Sequence, residues 1–183
     1  MEAILESIKE WFLSKRDYFI AFAQADSRLE GWFKAELLLL LPKLRQNRLL
    51  DGFDREYNIN TPFGRKQIDF RLLTQGEINY CEVKALCISQ AAGTPRNLAF
   101  YLRDDHLGLI KDFKKLDTVP GGNKWVLGFV YPNPGMPEWS AAIESLPDSL
   151  NHWICSTRPG SYPEYLFISI WRSQATTGQQ QLQ

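Results

Sequence analysis

Residues 66–84, KQIDFRLLTQGEINYCEVK, decide how this chain is read. Ile68, Phe70 and Leu72 alternate with Gln67, Asp69 and Arg71, the period-two pattern of a strand over 66–73. Thr74-Gln75-Gly76 is turn chemistry, and 77–84 reads as a second strand. On that strand Ile78, Tyr80, Glu82 and Lys84 share one face, with Cys81 and Val83 on the other. A hairpin centred near Gln75 and Gly76 brings Asp69 opposite residues 82–84. Three charged groups therefore converge on strands that otherwise look buried. Placing them there is costly unless something compensates, and a metal ion with a phosphate is a natural compensation.

The flanking sequence gives the layers. Ile4, Leu5, Ile8, Trp11 and Phe12 fall at helical spacing, which predicts an amphipathic helix over 2–24. Ser27 and Glu30 have capping-box spacing ahead of a second helix through GWFKAELLLLL, with Pro42 kinking or ending it. Residues 54–60 read as a strand and Thr61-Pro62-Phe63-Gly64 as a turn. Residues 88–100 read as a loop and 104–117 as a helix, with Lys111, Lys114 and Lys115 largely on its outer side. KWVLGFVY, 124–131, is the clearest buried strand. A helix over 138–146, a loop around 156–163 and a strand over 165–171 follow, and the tail SQATTGQQQLQ reads as disordered. The fold class is α/β: a mixed central sheet with an antiparallel three-strand meander, flanked by helices. One domain over 1–172 accommodates all of this, with 173–183 as a polar tail.

Composition narrows the function classes. Lys plus Arg is 21 and Asp plus Glu is 21, so a strongly basic, nonspecific nucleic-acid coat is excluded, though a locally positive groove is not. Cys81, Cys87 and Cys155 form neither a disulfide framework nor a repeated metal-ligand spacing, and two histidines are too few for a His-rich zinc site. No terminal stretch reads as a signal peptide, Leu37–Leu41 is too short to span a bilayer, and a reducing cytoplasmic setting is expected.

The converging residues suit phosphodiester hydrolysis. Asp69 and Glu82 offer two carboxylates and Val83 a backbone carbonyl to Mg²⁺, a hard ion that prefers oxygen ligands. Glu36 interrupts an apolar helical face and must reach either solvent or a cation, so it is a fourth candidate. Lys84 can orient the attacking water, help deprotonate it, or stabilise phosphate charge. Two neighbouring carboxylates favour its charged form, which favours positioning and charge stabilisation over simple general base. Arg71, Arg96 and Lys66 are candidate phosphate contacts, with Arg71 on the Asp69 face.

Asp69 in QIDF, Glu82-Val83-Lys84 as E-x-K on the next strand, and Glu36 in KAELL on the preceding helix together resemble the PD-(D/E)xK nuclease superfamily. The resemblance covers about residues 30–131. Ile68 stands where the name motif has proline. The resemblance implies a restriction-endonuclease-like fold and a Mg²⁺-dependent hydrolase of nucleic acid, DNA before RNA, with Mn²⁺ as a substitute ion and Asp69, Glu82, Val83 and Glu36 as metal ligands. It also implies the alternative of an inactive member that binds nucleic acid or protein. No membrane role is expected; a homodimer or a separate recognition subunit is compatible with this reading, as no helix-turn-helix or zinc-finger reader is evident.

Overall fold

The computed structural model describes residues 1–15, 17–18, 21–22, 29–87, 109–131, 150–156 and 167–173. Helices α1 (Glu2–Leu13) and α2 (Glu30–Gln46) precede strands β1 (Gly52–Thr61), β2 (Gly64–Thr74) and β3 (Glu77–Cys87). Helix α3 (Leu109–Asp117) then leads to β4 (Asn123–Tyr131), β5 (Leu150–Ser156) and β6 (Phe167–Ser173). The strands form one mixed sheet in the order β1-β2-β3-β4-β6-β5. β3 and β4 run parallel across α3, and the other neighbours are antiparallel.

The meander forms as its sequence dictates. Thr74 pairs with Glu77 across Gln75 and Gly76, which both have positive φ (51° and 78°), the twist a two-residue hairpin needs. β2 alternates from Lys66 onward, burying Ile68, Phe70, Leu72 and Thr74 and leaving Gln67 exposed and Asp69, Arg71 and Leu73 partly covered. At the start of β4, Gly122 has a φ of 65°, and a Cβ there would lie 2.8 Å from the Tyr80 ring. The glycine lets the loop after α3 close over Tyr80.

The sheet has two unlike faces. On one, Phe70, Leu72, Cys81, Val83, Leu127 and Phe129 pack against α1 and α2 through Ile4, Leu5, Ile8, Phe12, Phe33, Leu37 and Leu41. Phe33 stacks on Phe129 at 4.1 Å between ring centroids, and Phe12 meets Phe129 at 4.7 Å. On the other face, α3 buries Leu109, Ile110, Phe113 and Leu116.

The structure sharpens three element readings. The capping box at Ser27 falls outside the described residues; α2 begins at Glu30, with Leu29 at the N-cap position and no side-chain cap. α2 continues through Pro42 to Gln46. A mid-helix proline costs about 3 kcal/mol, and burying Leu40, Leu41 and Leu44 around it, at roughly 2 kcal/mol each, outweighs that. β5 was not anticipated, since LNHWICS mixes polar and apolar residues without alternation. The expected helix over 138–146, the loop over 88–100 and the tail beyond Ser173 lie outside the described residues. Among the described residues, no helix is long and apolar enough to cross a membrane.

Candidate functional site

The site begins where β2 and β3 part. Their ladder ends at the Phe70–Cys81 pair. One residue further, the Asp69 side chain takes over from its backbone, and Oδ2 accepts a hydrogen bond from the Val83 N–H at 2.9 Å. That bond fixes Asp69 beside Glu82-Val83-Lys84. β3 meanwhile continues along β4, with Glu82 opposite Val126 and Lys84 opposite Gly128. Asp69 therefore sits at a fork, with the β1–β2 hairpin on one side and the β3–β4 pair on the other.

Two helices close charges around the fork. From α2, Lys34 Nζ lies 2.9 Å from Asp69 Oδ1 and 2.9 Å from Glu30 Oε1. From α3, Lys115 Nζ lies 2.5 Å from Glu82 Oε1, and Asp112 Oδ2 lies 3.1 Å from Lys84 Nζ. Glu82 is only 5 % exposed. Glu82 Oε1 and Asp112 Oδ2 are buried without an aligned hydrogen-bond donor, so a lysine charge at contact distance is what balances each.

The electrostatics follow from this crowding. Burial, then the Asp69 and Asp112 charges, push the Glu82 carboxyl up to about 7, against the pull of Lys115. Burial likewise raises Asp112, with Lys84 and Lys115 opposing. Lys34 moves to about 12: burial works against its charge, but hydrogen bonds to Glu30 and Asp69 win. A carboxyl poised near neutrality beside a second carboxylate is the arrangement by which functional sites tune protonation.

Asp69, Glu82, Val83 and Lys84 are thus brought together. Glu36 is not. It faces α1, where Oε2 accepts from the Trp11 indole at 3.0 Å and lies 3.0 Å from Lys15 Nζ. On α2 it lies two residues, about 200° of helical turn, from Lys34. The acidic residue that α2 does bring toward the fork is Glu30, one turn before Lys34. Arg71 is engaged by Asp54 at 2.6 Å and lies over the Tyr57 ring at 4.3 Å. Lys66 lies further out on β2, opposite Ile59. Arg96 lies outside the described residues.

Glu30, Lys34, Asp112 and Lys115 were not singled out in sequence as members of the site. Spacing held a partial signal: Glu30–Lys34 is an i,i+4 pair, and Asp112 and Lys115 share one side of α3 at i,i+3. Lys115, expected on a solvated basic face, instead turns to the sheet.

The donor set can be tested against a divalent cation. Among the described residues, no group of three or more His, Cys, Asp or Glu side chains is arranged to hold a metal ion. Mg²⁺ does not require one, since it binds through one or two carboxylates and fills its remaining positions with water and phosphate oxygen. Asp69 Oδ2 accepts from the Val83 N–H and Oδ1 faces Lys34, while the buried Glu82 Oε1 lies against Lys115. Carboxylate oxygens are the donor type such an ion takes, and here each of the two carboxylates is engaged by a lysine. No family model, no curated protein and no solved structure matches the chain.

Proposed function

We propose that this chain is a Mg²⁺-dependent nuclease of restriction-endonuclease-like fold that hydrolyses phosphodiester bonds, in DNA. The observation that carries the reading is the Asp69 bond to the Val83 N–H, which holds one carboxylate against the strand bearing Glu82 and Lys84. The antiparallel meander followed by a parallel strand across a helix is consistent with that fold.

Asp69 and Glu82, with the Val83 carbonyl, would hold the cation; Glu36 has no part, and Glu30 replaces it as the acidic residue of α2. The ion, when bound, lowers the pKa of its water and neutralises phosphate charge. The chain supplies the rest. Asp112 pairs with the Lys84 ammonium, whose part on this reading is to orient a water or meet a phosphate oxygen. Lys34 and Lys115 balance Asp69 and Glu82, and with a cation bound there both lysines would be available to meet phosphate.

The same ion pairs favour a second reading, a nuclease fold without activity that serves as a binding module. Asp69, Glu82 and Asp112 each already have a lysine at contact distance, so the cluster is close to self-neutralised. Cleavage assays on linear, nicked, flapped and circular DNA with Mg²⁺ or Mn²⁺ separate the two. The nuclease reading expects metal-dependent products, lost in Glu82→Gln and reduced about a hundredfold in Lys84→Ala. Full activity in Lys84→Ala would remove its assigned role, and DNA binding without products would favour the inactive module.

A further inference from the structure

The β2–β3 ladder stops at Phe70–Cys81, but β1 and β2 stay paired out to Thr61–Gly64. Beyond Asp69 the hairpin is therefore a two-stranded arm, paired to no third strand among the described residues. Its composition departs from that of the whole chain. Residues 57–68, YNINTPFGRKQI, contain Arg65 and Lys66, the amides Asn58, Asn60 and Gln67, and no acidic residue. A chain of zero net charge thus carries a locally cationic ribbon.

The tip is built to present an aromatic ring. Phe63 is 74 % exposed, the highest value among the exposed large apolar residues described. It is not a loose end: Thr61 Oγ1 donates to the Gly64 carbonyl at 2.8 Å and accepts from the Phe63 N–H at 3.1 Å. These bonds close the turn backbone that carries Phe63, so the ring stands at the tip of an ordered turn. Arg65 is also pre-set, its Nε donating to Asn58 Oδ1 at 3.1 Å. Along β2, Arg65, Gln67, Asp69 and Arg71 alternate onto the less covered face. Phe63 lies six residues from Asp69, roughly 20 Å at strand rise.

We infer that the β1–β2 arm is a binding surface for single-stranded nucleic acid, with Phe63 stacking on an unpaired base and Arg65 and Lys66 meeting phosphates, and that it leads the strand toward Asp69. Charge complementarity selects the occupant: an acid-free cationic ribbon with amide donors suits a polyanion, and an exposed ring at its tip suits a base freed from its stack. This rests on the nuclease reading for the destination of the strand, though binding by the arm is measured separately from cleavage.

The test is fluorescence anisotropy in EDTA, with a labelled mixed-sequence single-stranded oligonucleotide and the matching duplex, on the full chain. The wild type should bind the single strand more tightly than the duplex. Phe63→Ala should weaken binding about tenfold, and Phe63→Trp should retain it. Arg65→Ala combined with Lys66→Ala should lower the slope of log K against log salt by about 1.4, the value for two phosphates on a single strand. Unchanged circular dichroism would show that the variants fold. Wild-type affinity and slope in these variants would overturn the arm while leaving the nuclease reading standing. Preference for duplex would overturn the single-strand assignment. Absence of binding by the wild type to either probe in EDTA would overturn the arm, while the nuclease reading stands or falls on the cleavage assay with Mg²⁺.

Discussion

The two faces of the sheet solve opposite problems with the same strand. Cys81 and Val83 point into a face where Phe12, Phe33 and Phe129 interlock with aliphatic residues. Glu82 and Lys84, their immediate neighbours in sequence, lie on the face beneath α3 and take charged partners from it. One face gains stability from apolar burial, and the other holds charges whose desolvation offsets much of their mutual attraction. Stability and chemistry are therefore placed back to back, and a change on either face has a distinct signature.

The largest stability effect belongs to the aromatic face. Phe33→Ala or Phe129→Ala should destabilise the fold by about 3–5 kcal/mol in urea unfolding, because each ring is fully buried against the other. A loss below about 1 kcal/mol would mean that the rings do not carry this core.

The charged face should show itself through pH. Glu82 is raised from 4.5 to about 7 in the folded protein, so between those values the native state binds the proton more tightly than the unfolded chain does. Stability should therefore fall as pH rises from about 4.5 to 7 and level off above, by on the order of 3 kcal/mol from this group in the absence of divalent cations. Glu82→Gln cannot ionise and should lack that component of the slope. Identical pH profiles for the two proteins would show that Glu82 is not held in a costly charged state.

Smaller effects separate the helix positions. Lys34→Met removes the tie from α2 to Asp69 and Glu30 and should cost about 1 kcal/mol. Glu36→Gln keeps an acceptor for the Trp11 indole and loses only the Lys15 pair, so it should cost about 0.5 kcal/mol and leave cleavage unchanged. Loss of cleavage in Glu36→Gln would restore that residue to the site.

The sequence made the meander legible because its signals are local. Alternation in β2 and β3 and the Gln75-Gly76 turn specify pairing, and pairing alone carries Asp69 to the strand of Glu82 and Lys84. The helix contributions were less legible because they depend on how α2 and α3 are rotated against the sheet. Glu36 looked conspicuous for interrupting an apolar run, yet it meets α1, while Glu30 at the helix start lies one turn from Lys34. Lys115 looked like one of three solvated lysines, and only the packing of Leu109, Ile110, Phe113 and Leu116 turns it toward Glu82. β5 has turn residues on both sides, Pro147-Asp148-Ser149 and Pro159-Gly160-Ser161, but LNHWICS between them lacks the alternation that marks a strand.

The central claim is that Asp69 and Glu82 form a divalent-cation site, and cation-dependent stability tests it most directly. Urea unfolding of the wild type and of Asp69→Asn at neutral pH, with and without Mg²⁺, is the measurement. At a hundredfold excess over Kd, the wild type should gain about 2.7 kcal/mol, and Asp69→Asn should gain little. A wild type indifferent to Mg²⁺ and Mn²⁺, or an equal gain in both proteins, would contradict the account.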